Sequence, residues 1–228
     1  MIFNDEHTES IIPKSFFMLA IISGSLLAAY LMFTNVNDIF LPLKPYAVDG
    51  NFDRQLILIA CLFIYIIRLF FTNFVFLKRK MNWRETIVIS ALISIVLYSF
   101  ATVGGGSKSA INIADYIGIL LFLLGSWINS RSEYTRNKWK QDESNRGKLY
   151  TEGLFKYSIH INYFGDLLLF SGLAFITQSF SMFIVPLAMT LVFIFFIVPR
   201  HDKYLKQKYG EDFSEYSLNT KKLFPWIY

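Results

Sequence analysis

Long apolar runs separated by short polar or basic connections set the organisation of the chain. A helix needs roughly 20 apolar residues to cross a bilayer. Six stretches approach that length: 16–33, 56–76, 86–103, 111–129, about 164–178, and 180–198. The last two are joined only by Gln178 to Ser181, which predicts a tight helical hairpin with Pro186 as a kink in its second arm. Beyond them, Tyr204, Leu205 and Tyr209 recur at helical spacing before Gly210, a helix stop, which predicts an amphipathic segment lying on the membrane. The pattern predicts an all-α fold: one polytopic membrane bundle over 1–228, with about six transmembrane helices and an amphipathic C-terminal segment.

Composition agrees, since 54% hydrophobic and 18% aromatic residues in a chain of 228 exclude an ordinary soluble domain. The net charge of +5 invites a nucleic-acid reading, but the way the charges sort between connections explains it better. One set of alternating connections holds Lys14, the run Lys78 to Arg84, the run Arg131 to Lys156, and the lysines and arginines after Val198; the other holds only Lys44, Arg54 and Lys108. By the positive-inside rule both termini and the two basic loops are cytoplasmic, and the short chain suggests a bacterial inner membrane. An acidic N-terminus before the first run predicts a retained anchor rather than a cleaved signal. A single cysteine, Cys61, excludes an intrachain disulfide, and the histidines His7, His160 and His201 lack ligand spacing, so no metal site is expected. The glycines of 103–110, VGGGSKSA, do not have the spacing of a phosphate loop and read as a flexible turn.

Polar residues at the mouths of these runs carry the chemical signal. Arg68 lies within the second span, with its charge roughly 12 Å from the nearer boundary at ~1.5 Å per residue. Such a position costs about 3 kcal/mol unless something compensates. Tyr65, three residues earlier, shares its face. Asn162 and Asp166 are four apart where the fifth run begins; read structurally, Asn162 caps that helix, and read functionally, the two form half of a site. Asn129 and Glu133 form a second i, i+4 pair at the close of the fourth span, where an acid is misplaced by helix-dipole logic and calls for a basic or ligand partner. Arg136, Lys138 and Lys140 follow, and the C-terminal segment adds Arg200, His201, Tyr204 and Tyr216. Arginines, lysines and aromatics gathered on one side suit a ligand bearing phosphates and rings.

At these residues the chain resembles the membrane steroid 5α-reductases and their bacterial relatives. The matching pieces are N-x-x-x-[D/E]-Y at Asn129, Glu133 and Tyr134; G-L-F-x-Y at Gly153 to Tyr157; N-[Y/F]-x-G-[E/D] at Asn162 to Asp166, including Tyr163; and Tyr204, Tyr216 and Pro225. Tyr65 and Arg68 match a Y-x-x-R of the catalytic helix, with Arg79 in the basic loop after it. The resemblance implies that NADPH is held by 111–228 and a lipid substrate by 1–110. Arg79, Asn129, Glu133, Lys148, Asn162, Tyr163, Asp166 and Tyr204 would contact the cofactor, joined by Lys140, Arg200, His201 and Tyr216 from the basic segments. Tyr65 with Arg68 would be catalytic, the phenol polarising the carbonyl of an enone lipid such as a 3-oxo-Δ4 steroid while hydride reaches the β carbon.

Two features depart from that pattern. The glutamate that holds the substrate ketone in the resembling enzymes, in a Gln-Glu-Leu setting, has no counterpart here; Asp49 or Asp53 could substitute. Six spans replace seven. The rival resemblance is to S-adenosylmethionine-dependent isoprenylcysteine and phospholipid methyltransferases, whose R-H-P-x-Y-x-G survives only as His160, Tyr163 and Gly165; His201 and Asp202 stand where those enzymes have paired glutamates.

Overall fold

The computed structural model describes residues 10–33 and 50–228. Its helices are α1 (Ile11–Phe33), α2 (Phe52–Phe71), α3 (Trp83–Gly105), α4 (Ile113–Lys140), α5 (Ile161–Ile176), α6 (Ile184–Val192), α7 (Val198–Tyr209) and α8 (Glu211–Asn219). A π turn, Thr72–Phe76, extends α2, and a second, Phe193–Ile197, joins α6 to α7. No strand occurs among the described residues. Five helical stretches are long and apolar enough to span a membrane: Ile11–Phe33, Phe52–Phe76, Trp83–Gly105, Ile113–Lys140 and Phe180–Tyr209. α5, at 16 residues, is shorter than these five, so the fifth of the six expected spans falls below that length. The protein is an integral, multi-pass helical bundle.

The helices begin where short polar side chains cap them. Asn51 accepts from the Arg54 amide, Asn82 from the Glu85 amide, and Asn112 forms a reciprocal capping box with Asp115. α1, α2 and α3 bury Ile21, Ala28, Leu58, Leu97 and Phe100 among themselves and against Phe122, Leu169 and Leu173. Outward-facing residues such as Leu19, Ile95, Leu120 and Phe195 stay exposed, which forms the apolar girdle a bilayer covers.

α4 and α5 approach unusually closely. A Cβ added at Gly125 would lie 2.4 Å from the Gly165 carbonyl oxygen, one at Gly172 2.5 Å from that of Gly118, and one at Gly165 2.8 Å from the Asn129 amide. Gly118 and Gly125 on one helix, and Gly165 and Gly172 on the other, are spaced by seven, two turns, so each pair faces the other along a common seam.

Three further expectations change. The fourth helix continues eleven residues past Asn129, to Lys140, so Glu133 is two turns inside a helix rather than at its end. Pro186 stands in the first turn of α6, where a missing amide hydrogen bond is harmless, and the irregularity of this arm is the π turn at Phe193–Ile197. The glycine turn after α3 is ordered, because the carbonyls of Ser107, Ser109 and Ala110 and the Ser107 hydroxyl accept from Arg54. Lys44 and His7 lie outside the described residues.

Gly125→Ala or Gly172→Ala should push α4 from α5 and destabilise the detergent-solubilised protein by about 1–3 kcal/mol. Leu120→Ala, on the exposed face of α4, should leave the midpoint of thermal unfolding nearly unchanged.

Candidate functional site

The glycine seam sets the register in which two i, i+4 pairs meet. Asn129, one turn beyond Gly125, donates from Nδ2 to the Asn162 carbonyl (3.0 Å) and to Asp166 Oδ1 (3.2 Å). Asn162 donates to Glu133 Oε1 (3.0 Å), and Glu133 is ion-paired with Arg136 on its own helix. α5 starts after His160, which has no side-chain capping bond; Asn162 is therefore not the cap, and its side chain is spent across the helix interface. The basic partner that Glu133 called for is Arg136, with Asn162 on the other oxygen.

α2 joins this junction through Arg68. Its Nη1 donates to Asp166 Oδ1 at 2.7 Å, and its guanidinium lies 4.9 Å from the Tyr65 ring centroid. The carboxylate that offsets the mid-span arginine is thus Asp166, contributed from α5. Tyr65 is buried edge-on to Phe170 (5.7 Å), and Phe170 in turn stacks on Phe100. The Arg68 Nε is buried without a hydrogen-bond partner. A continuous polar chain therefore runs Tyr65, Arg68, Asp166, Asn129, Asn162, Glu133, Arg136 through an apolar bundle.

On the far side of Arg136 the chain reaches a crevice between α4, α7 and α8, lined by Arg136, Lys140, Tyr150, His201, Tyr209 and Tyr216 with Leu149, Phe155, Ile159 and Leu205. It encloses about 40 Å³, space for about one water. Burial pushes the Tyr216 phenol up from its ordinary pKa, so it keeps its proton and donates to the Phe155 carbonyl (2.6 Å). Beside the crevice, Tyr163 stacks on His160 (ring centroids 5.4 Å apart) and meets His201 Nδ1 at 3.3 Å, while His160 Nε2 pairs with Asp202 (2.7 Å) and Lys222 with the other Asp202 oxygen (3.3 Å). Two histidines that look unrelated in sequence thus pack together, their rings 5.1 Å apart.

The other expected residues separate. Tyr204 stacks on His201 and accepts from Lys208 (3.0 Å) at the rim. Arg79 is held by both oxygens of Glu85, at the start of α3, not by the junction. Lys148 is exposed in the loop next to Asp142, and Arg200 is exposed on the outer side of α7. Neither reaches the polar chain. Asp53 is exposed at the opposite end of α2, twelve residues and roughly 18 Å along the helix from Tyr65, and cannot hold a substrate beside it; Asp49 lies outside the described residues.

Sequence reasoning named Arg136 in the basic run and Tyr209 in the amphipathic segment without placing either in the site, and it missed Tyr150 and the role of Arg54. That arginine is wholly buried at the far end of α2 and binds both oxygens of Asp115 at 3.0 Å each, with Gln178 also donating to Asp115 (2.8 Å). The available signal was periodic: Arg54 and Arg68 are fourteen residues apart, four turns on one face, as are Asp115 and Asn129 on α4.

The chain belongs to the DUF1295 family, described as a protein family of unknown function, whose model matches residues 81–220. This is a steroid 5α-reductase-like membrane family. The matched part runs from just before α3 to the end of α8 and so contains Asn129, Glu133, Asn162 and Asp166, whereas Tyr65 and Arg68 precede it. No curated protein matches the chain.

Asp166→Asn or Arg68→Gln alone should each cost about 3–5 kcal/mol, because each leaves the other charge buried and unpaired. The double variant should cost clearly less than their sum in a denaturation cycle; strict additivity would show that the pair does not interact.

Proposed function

We propose that this protein is an NADPH-dependent reductase of the C=C bond of an enone lipid, with a 3-oxo-Δ4 steroid as the substrate to test first. The observation that carries this reading is the polar junction. A phenol, two guanidiniums, two carboxylates and two carboxamides meet inside an apolar bundle and lead to a crevice of cations and tyrosines. Polar groups at such depth are expensive and mark functional sites.

The donor set suits a dinucleotide. Arg136 and Lys140 suit phosphate, and Glu133 and Asn162 suit hydroxyl or carboxamide groups. The crevice is far smaller than the several hundred Å³ of an ordinary ligand cleft, so binding requires α7 and α8 to move outward. Val198 and Phe213 are their fully buried residues, and their other ties are polar: Asp202 to His160, His201 to Tyr163 and Tyr216 to the Phe155 carbonyl. NADPH, when bound, supplies the hydride. Tyr65 then donates a hydrogen bond to the carbonyl oxygen as charge develops there, a contribution typically of about 10²- to 10⁴-fold. Phe100 and Phe170 keep water from the reacting carbons. The methyltransferase reading is less well supported: His160 is 1% exposed and tied to Asp202, and Gly165 serves the contact with α4.

With detergent-purified protein, enones and NADPH, absorbance should report turnover that falls at least tenfold in Tyr65→Phe with cofactor affinity nearly intact. Glu133→Ala should instead weaken cofactor affinity. Unchanged turnover in Tyr65→Phe would remove that phenol from the mechanism.

A further inference from the structure

α2 buries two arginines on one face, and their satisfaction differs sharply. Arg54 binds both oxygens of Asp115, and its terminal nitrogens also donate to Ser107, Ser109 and Ala110. Arg68 donates through Nη1 to a single oxygen of Asp166, and its Nε, buried in a side chain only 8% exposed, has no partner. No bulk water is at hand within a bilayer to repay that lost hydrogen bond. Buried unpaired donors are rare and costly in folded proteins, and functional sites are among the places that keep them. The bundle can saturate a buried arginine, as it does at Arg54, so the vacancy at Arg68 is particular to this place.

The place is adjacent to the candidate acid. Tyr65 and Arg68 are one turn apart, with the guanidinium over the phenol ring. Asp166 fixes the guanidinium, and Asn129 fixes Asp166 by donating to the same oxygen. We propose that the Tyr65 hydroxyl and the Arg68 Nε–H together form a two-donor oxyanion site for the substrate's carbonyl oxygen, in a chain that lacks the carboxylic acid used by the resembling reductases. For catalysis, the inference rests on the reductase reading; for oxyanion binding, it does not.

A guanidinium with no carboxylic acid beside it at that carbonyl oxygen has chemical consequences. When the β carbon of the enone gains a hydride from the nicotinamide donor, the C=C π pair moves to form the enolate double bond, and the carbonyl π pair moves onto oxygen. That oxygen accepts both hydrogen bonds. The C=O re-forms as the α carbon takes a proton that comes ultimately from water, giving the saturated ketone. A guanidinium cannot give up its proton, so it stabilises the enolate without protonating it. The ligand class best matched to the site is accordingly a planar enolate or phenolate.

The test uses a steroid-shaped naphthol whose fluorescence distinguishes its neutral and ionised forms, titrated without NADPH into detergent-purified protein at a pH where the free probe is neutral. Wild type should bind the ionised form, with the acidity of the bound probe raised at least tenfold. Arg68→Gln should lose that rise. Arg68→Gln/Asp166→Asn, which removes both charges and guards against misfolding from an unpaired carboxylate, should lose it as well. Persistence of the ionised form in the double variant overturns the proposal, as does the absence of an ionised bound probe in wild type. Ionisation of the probe in a protein that oxidises no NADPH with any enone would retain the oxyanion site and overturn the reductase reading alone.

Discussion

Backbone contact between α4 and α5 is the constraint from which the site follows. Lipid surrounds the bundle, so helices gain little from hiding apolar surface from one another and depend on close packing instead. Gly118, Gly125, Gly165 and Gly172 supply it by removing the side chains that would hold the backbones apart. Only at that separation can the short side chains of Asn129 and Asn162 bridge the two helices, and only in that register do Glu133 and Asp166 flank them. A contact made by residues without side chains thus dictates where the polar ones meet.

α2 is then fastened across this pair at two levels. Near one end, Arg54 and Asp115 form a saturated ion pair that also gathers the turn after α3 and, through Gln178, the end of α5. Four turns on, Arg68 reaches Asp166 with a lone contact and an unused donor. The first junction is built for rigidity. The second combines charge, burial and an unmet hydrogen bond, and it adjoins both the buried phenol and the route toward the crevice.

Rough span positions were legible because apolar runs of this length have few alternatives, although the fifth run forms a helix of only 16 residues. The i, i+4 pairs Asn129/Glu133 and Asn162/Asp166 were legible as faces for the same reason. Their meeting was not, since it depends on the glycine seam, and no local pattern says that four separated glycines will face one another. Arg68 was legible as a charge needing compensation, but Asp166 as its partner required the fold. Arg54 was read as an ordinary end-of-span charge, and Asp115 drew no notice. The crevice lies furthest from the sequence pattern, assembled from the ends of α4, α7 and α8 with the intervening loop. There the expected set divides, with Lys140, His201 and Tyr216 lining it, Tyr204 at the rim, and Lys148, Arg200 and Arg79 elsewhere.

The account stands or falls on whether this junction, with its crevice, receives a dinucleotide. The most direct measurement is thermal stabilisation of the detergent-purified protein by NADPH, NADH and S-adenosylmethionine side by side. A ligand present at 100 times its dissociation constant adds about 2.7 kcal/mol to the native state, readily seen as a shifted midpoint. The account predicts a shift with NADPH, reduced in Arg136→Ala, and none with S-adenosylmethionine. A shift with S-adenosylmethionine alone, or one with NADPH that Arg136→Ala leaves untouched, would contradict it.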